Sequence, residues 1–197
     1  MVDKSKERAR QMAGDYLERL KVCIEAIQIS DLEKTAVALE QTRENGGTVW
    51  ICGNGGSAAT ASHMQVDLSF GVKPAIRARS MTDNAAAITA TGNDLAFSQV
   101  FARQILLEGN AKDLLIVISA SGNSENLLEA VGAAKSIGMP TCAFVGFDGG
   151  KLKYQVDLAV HTPTRIGDYG VAEDLHASIN HILKEMLNGF WGNGSKA

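Results

Sequence analysis

Two pairs of ionisable residues stand at helical spacing in this chain of 197 residues: His63 with Asp67, four apart, and Glu173 with His181, eight apart. On a helix, four residues bring two side chains to one face, and eight leave them about 80° apart around the axis. Each pair joins an imidazole to a carboxylate. Together they offer two chemistries: ligation of a divalent metal such as zinc, or a general base and acid for moving protons. Either one requires the two segments to meet; apart, each is a His–carboxylate pair on a helix surface. His176 lies about 140° around the axis from His181, which gives it another role, structural or at a subunit contact. His161, at the end of an apolar run, reads as structural.

Two loops could hold an anion beside these groups. Gly53-Asn54-Gly55-Gly56-Ser57 follows the apolar run Val49 to Cys52, and Ser119-Ala120-Ser121-Gly122-Asn123-Ser124 follows Leu114 to Ile118. Each opens a helical segment, so each aims free backbone N–H groups and small hydroxyls at a helix start, which suits a phosphate. Ser119, Ser121 and Ser124 are neutral donors fitted to a terminal phosphomonoester. One such turn alone would read as a chain reversal; two favour phosphate. The first loop, extended to Ala58, also fits a dinucleotide fingerprint. The next strand, however, offers Ala75-Ile76-Arg77-Ala78-Arg79 with no carboxylate for a ribose, leaving only Arg79 to meet a 2′-phosphate. The phosphate-loop signature and the nucleophile-elbow context are both missing from the sequence. Asp94 reads as the cap of a helix starting near Phe97, or as an acceptor for a substrate hydroxyl. Lys151, after another strand end, could reach an anion but reads more readily as solvated.

The elements that must position these residues alternate. Apolar runs at Thr48–Cys52, Ala75–Ala78, Leu114–Ile118, Thr141–Val145 and Leu158–His161 predict strands. Helical stretches are predicted at Ala58–Phe70, Asn84–Ala90, Phe97–Glu108, Asn123–Ile137 and Ala172–Leu187. This pattern implies an α/β fold, a parallel sheet covered on both faces, with both loops on the carboxyl edge of the strands. Ahead of it, Met12, Tyr16, Leu20, Ile24 and Ile27 predict a helix over about 7–29. Ser30 with Glu33 predicts a capping box for a second helix ending at Asn45-Gly46-Gly47. The leading helix reads equally as a cover for the sheet or as an oligomerisation arm. The tail from Gly192 to Ala197 is expected to fray.

Composition narrows the class. The length suits one domain, and a net charge of -3 carries no basic field for nucleic acid. No apolar run suits a membrane span or a signal core. Three widely spaced cysteines, Cys23, Cys52 and Cys142, read as buried thiols in a reducing, cytoplasmic compartment.

Taken in order, Cys52 to Ser57 with His63 downstream, Gly92-Asn93-Asp94, Ser119 to Ser124, Gly146 to Leu152, and a final helix with His176 and His181 resemble the sugar isomerase (SIS) family. Within it the likeness is to the phosphoheptose isomerases, which interconvert sedoheptulose 7-phosphate and D-glycero-D-manno-heptose 7-phosphate for lipopolysaccharide or other surface glycans. The resemblance implies one SIS domain over residues 1–197, with a helical arm over about 4–45. It implies a flavodoxin-like αβα sandwich with five parallel strands, assembled as a homotetramer whose sites borrow residues from neighbouring chains. It places the sugar phosphate on Asn54, Gly55, Gly56, Ser57, Asp94, Ser119, Ser121, Ser124 and Glu173. The base falls on Asp67, the acid on His181, and zinc on His63, Asp67, Glu173 and His181. Three positions depart from the family pattern: Asp67 for a usual Glu, Glu173 for a usual Gln, and Ala120 for a usual Thr. Rival expectations are an isomerase of a different sugar phosphate, and a non-catalytic SIS module that senses a sugar phosphate or serves the replication initiator. A nicotinamide oxidoreductase comes third.

Overall fold

The computed structural model describes residues 2–191, with side chains described for 4–190; the tail from Gly192 lies outside them. Five strands form one sheet: β1 (Val49–Gly53), β2 (Ala78–Ser80), β3 (Leu114–Ser119), β4 (Thr141–Val145) and β5 (Leu158–His161). All pairings are parallel, in the order β2-β1-β3-β4-β5. This is the flavodoxin-like order. Connections leave β1 and β3 in opposite directions, so the crevice between their carboxyl ends is the topological switch point where such sheets bind ligands. Gly53, ending β1, pairs with Ile118 near the end of β3, so the two loops emerge side by side.

Alternation along the buried strands builds two cores. Val49, Ile51, Ile116, Ile118 and Phe144 face α2 (Ile29–Glu44), α3 (Gly56–Val66) and α8 (Tyr169–Trp191) through Leu39, Met64 and Leu183. Trp50, Cys52, Leu115, Val117 and Val145 face the other way, toward α5 (Ala102–Glu108), α6 (Glu125–Ser136) and α7 (Leu152–Gln155) through Ile105, Leu127 and Leu152. With both faces covered, each strand is apolar throughout, as parallel sheets require.

The structure corrects several boundaries. β2 starts three residues later than expected, because the amide of Ile76 donates to Leu68 O at 2.9 Å and holds the preceding chain against the turn that follows α3 rather than in the sheet. The expected capping box does not form: α2 starts at Ile29 behind Gln28, which makes no side-chain cap, so Ser30 lies inside the first turn. Asp94 is no cap for the Phe97 segment. It is the last residue of α4 (Ala85–Asp94), whereas the short 3-10 turn Phe97–Gln99 starts behind Ala96. Asn84, by contrast, caps α4 by accepting from Ala87 N at 3.1 Å. The helix expected to run unbroken to Phe70 changes pitch at Asp67, where a π-helical turn, Asp67–Gly71, follows α3. Cys52 and Cys142 are buried, while Cys23 is only half-buried.

The leading helix α1 (Val2–Glu25) does not cover the sheet; α2 does. It leans on the start of α8, where Tyr16 donates to Asp174 at 2.6 Å and Arg19 to Asp168 at 2.7 Å. Met12, Leu17, Val22 and Ile24 stay exposed.

Candidate active site

A cavity of about 90 Å³ lies at the switch point, lined by Asn54, Ser57, Ser119, Ser121, Ser124 and Glu173. Tyr169, Ala120, Ile118 and Leu127 complete its wall, and among the described residues no lysine or arginine enters it. The loops are locked to each other by paired amides: Asn54 Nδ2 donates to Asn126 Oδ1, and Asn126 Nδ2 to Asn54 Oδ1, each at 2.9 Å. Ser119 Oγ accepts from Gly122 N at 3.0 Å, fixing the turn of the second loop. Gly122 has φ +64, and an added Cβ would lie 2.0 Å from Gly149 O, so the turn admits only glycine. The loop from Asp148 braces it from behind, through Lys151 N donating to Asn123 Oδ1 at 3.1 Å.

Both helix starts beside the cavity lack side-chain caps. Gly55 precedes α3 and Ser124 precedes α6, and neither makes a capping bond. Their free N–H groups and the positive end of each dipole suit an anion. The Glu173 carboxylate already lies over the start of α3: a Cβ on Gly56 would meet its oxygens at 2.3 and 2.6 Å.

Beyond the cavity the two ionisable pairs come together. His63 Nε2 and His181 Nε2 stand 3.0 Å apart, with Asp67 Oδ2 3.4 Å from the first and 3.7 Å from the second. Tetrahedral zinc bonds nitrogen and oxygen at about 2.0–2.1 Å, which puts neighbouring ligand atoms about 3.3 Å apart. The observed spacings and the donor set of two imidazoles and one carboxylate therefore fit such an ion, and all three ligand atoms lie within 4.8 Å of one another. Glu173 stands outside that trio, lining the cradle from the same helix two turns earlier.

Asp67 is buried, at 5% exposure. Desolvation pushes its pKa up, but hydrogen bonds from Lys184 and Asn180, together with the nearby charges, win and hold it below the ordinary carboxylate value. His63 and His181 are each about half exposed, and their rings meet edge to face at 87°.

Other expected residues fall elsewhere. Asp94 lines a separate depression with Thr91, Arg103 and Glu108, away from the cradle within this chain. Arg79, the one support for a 2′-phosphate, pairs with Glu108 and stacks over Trp50 at 5.2 Å. His161 is structural, meeting Phe147 O at 3.0 Å and Lys153 Nζ at 3.1 Å. His176 is fully buried, and neither ring nitrogen completes a hydrogen bond among the described residues.

Five residues at the site escaped the sequence reading: Asn126, Leu127, Tyr169, Asn180 and Lys184. Asn180 and Lys184 carry a legible signal, since they follow His176 at steps of four and share its helix face.

Comparison with known proteins agrees with this geometry. The family model described as SIS domain matches residues 15–146. A phosphoheptose isomerase of Helicobacter pylori is 40% identical over 175 residues, covering 87% of this chain and 90% of the relative. One from Chlorobaculum parvum is 36% identical over 182 residues, covering 90% and 87%. The solved phosphoheptose isomerase of Neisseria gonorrhoeae superposes with a TM-score of 0.85 at 30% identity, covering 93% of this chain and 98% of that one.

Proposed function

The chain belongs to the SIS-domain family, and on that premise we propose that it is a phosphoheptose isomerase, an aldose–ketose isomerase of a seven-carbon sugar phosphate. One observation carries the reading. The same two segments reach both halves of the site: α3 opens in the cradle at Gly56 and Ser57, carries His63 and runs straight into the turn that bears Asp67, while α8 lines the cradle with Glu173 and carries His181. Six residues from Ser57 to His63 advance about 9 Å along a helix. That separates a phosphate from a proton-transfer centre by the span of a sugar held by its far end.

In the proposed chemistry, Ser57, Ser119, Ser121, Ser124 and the two helix starts hold the terminal phosphate, with Asn54 and Gly55 nearby. Anchoring this distant group orients the reacting carbons. Asp67 Oδ2 takes the proton from C1 or C2 next to the carbonyl and returns it to the neighbouring carbon through an enediol. His181 exchanges a proton at the carbonyl and hydroxyl oxygens and assists ring opening. His63, Asp67 and His181 would hold a zinc ion; the resemblance adds the position of Glu173, a usual Gln in the family, whose carboxylate lines the cradle in this chain. Bound by the trio, the metal would supply Lewis-acid stabilisation of negative charge on oxygen.

A cytoplasmic homotetramer serving surface-glycan synthesis completes the proposal. The exposed apolar residues of α1 and the distance of Asp94 from the cradle support an assembly in which a neighbouring chain contributes to the site. Among the described residues, no helix is long and apolar enough to cross a membrane. The regulatory alternative is not favoured, because the ionisable trio that a sensor could discard is present and assembled.

The test is turnover of sedoheptulose 7-phosphate by the purified protein, with metal analysis and a chelator arm. Turnover lost in Asp67→Ala while phosphate ligands still bind supports the assignment. Equal turnover by wild type and Asp67→Ala would overturn it.

A further inference from the structure

The face of α8 that reaches the trio carries three further polar side chains, one per turn, and all three hold the segment bearing Asp67. Asn180 Nδ2 donates to Asp67 Oδ2 at 2.7 Å, and Lys184 Nζ donates to Oδ1 at 2.8 Å. One turn on, Asn188 donates to Gly71 O and accepts from Lys73 N, both at 3.1 Å. Gly71 makes room for the ion pair, since a Cβ there would lie 3.0 Å from Lys184 Nζ and 2.7 Å from its Cε.

This leaves the carboxylate with two faces. Oδ2 looks toward His63 and His181, and Oδ1 looks toward an ammonium group. The only carboxylate of the trio is thus already neutralised by a protein cation, half-sheltered from water at 30% side-chain exposure. A dication arriving at the trio meets a balanced ion pair and two imidazoles. Like charges a few ångströms apart in such a setting change a binding constant by orders of magnitude. Lys184 also performs a task that a metal ligand set otherwise leaves to the metal, because it keeps the short aspartate arm in place before any ion binds.

We propose that Lys184 is a positioning residue that shares Asp67 with the metal: it holds the carboxylate toward the histidines in the metal-free enzyme and weakens the affinity of the trio for a dication. Asn180, which stays in contact with Oδ2, keeps the carboxylate oriented when the metal is bound. The inference deepens the isomerase reading and rests on it only for the reaction that the trio serves.

The experiment is a zinc titration in competition with a chromophoric chelator, run on the full chain as wild type, Lys184→Met, Lys184→Arg and Asp67→Asn. Lys184→Met should bind zinc at least tenfold more tightly than wild type. Lys184→Arg, which keeps the charge, should stay within about threefold of wild type. Asp67→Asn should bind more weakly. Lys184→Gln serves as the uncharged variant if circular dichroism shows Lys184→Met unfolded. Unchanged or weaker zinc binding in the folded uncharged variant overturns the proposal, as does failure of wild type and variants alike to bind zinc. A purely structural lysine would lower stability and leave zinc affinity where it was. Because zinc affinity is read without substrate, an inactive wild type toward sedoheptulose 7-phosphate would sink the isomerase reading and leave the role of Lys184 decided on its own.

Discussion

Acidification should destabilise the fold through His176, and the size of the effect follows from where that ring lies. The side chain is fully buried on α8. Burial pushes its pKa down to about 4, and with no completed hydrogen bond to either ring nitrogen among the described residues the nearby Val145 backbone gives little relief. In the unfolded chain the same imidazole titrates near its ordinary value of about 6.5. Between those values the unfolded state holds a proton that the folded state refuses, so stability falls as pH falls. The contribution is fully present above pH 6.5 and is lost progressively as pH drops toward 4. At 1.36 kcal/mol per unit, the window holds about 3 kcal/mol, a large part of the 5–15 kcal/mol typical of a domain. Carboxylates such as Asp67, whose folded pKa is lowered, act in a lower window: their contribution is present above about 4 and is lost below it. The assay is urea unfolding of wild type and His176→Gln at steps from pH 7.5 to 4.5. His176→Gln starts less stable at neutral pH and loses less on acidification. If both proteins lose the same stability across that range, the account of a ring held neutral by burial is wrong. Asn180 follows His176 by one turn, so the same experiment, read by turnover, reports how firmly α8 holds Asp67.

Other consequences concern the site directly. Asp67→Asn should lower kcat by about 100-fold or more while leaving KM within a few-fold, because the cradle is untouched; steady-state kinetics with sedoheptulose 7-phosphate decides it. Ser119→Ala and Ser124→Ala should each weaken phosphate-end binding by about 1 kcal/mol, near fivefold. Titration with inorganic phosphate or a sugar phosphate would measure this, and undiminished binding would remove those serines from the cradle. Gly56→Ala would drive a methyl group into the Glu173 carboxylate, 2.3 Å from the new carbon. It should lose activity; no loss would mean that Glu173 swings clear at no cost.

Much of the architecture was legible because two periods dominate this chain. Apolar runs such as Leu114 to Ile118 can be buried on both faces only in a covered sheet, and the helical stretches between them imply parallel crossovers. Strand order is not encoded in such runs, so the adjacency of the Gly53 and Ser119 loops required the topology. β2 was misplaced because Ile76 is apolar for a different reason: it packs under Leu68 beside the π-helical turn rather than in the sheet. The Ser30–Glu33 signal failed because the chain turns into α2 earlier, at Gln28, and a capping pair inside the first turn has no free end to cap.

The site was legible in its parts and illegible in its balance. His63 with Asp67 announced a helix face, and Glu173 with His181 announced another, but the second pair divides its labour: His181 joins the trio while Glu173 goes to the cradle. Eight residues of helix rise about 12 Å, and that length decides the division more than the 80° angle does. What sequence reasoning lacked was the countercharge. The spacing of Lys184 from His176 gives its helix face but not its partner. Only the approach of α8 to the turn at Asp67 turns it into the partner of the one carboxylate in the trio. Packing in this chain suits an aspartate at position 67, where the resemblance implies a usual Glu. An aspartate reaches the lysine and asparagine of α8 while still facing both histidines, and one more methylene would carry the carboxylate past the Lys184 ammonium, only 2.8 Å from Oδ1. Asp67→Glu should therefore lose activity in this chain despite matching the family pattern, and should recover part of it when Lys184 is shortened, as in Asp67→Glu/Lys184→Ala. Full activity of Asp67→Glu beside an intact Lys184 would show that the two positions are not coupled.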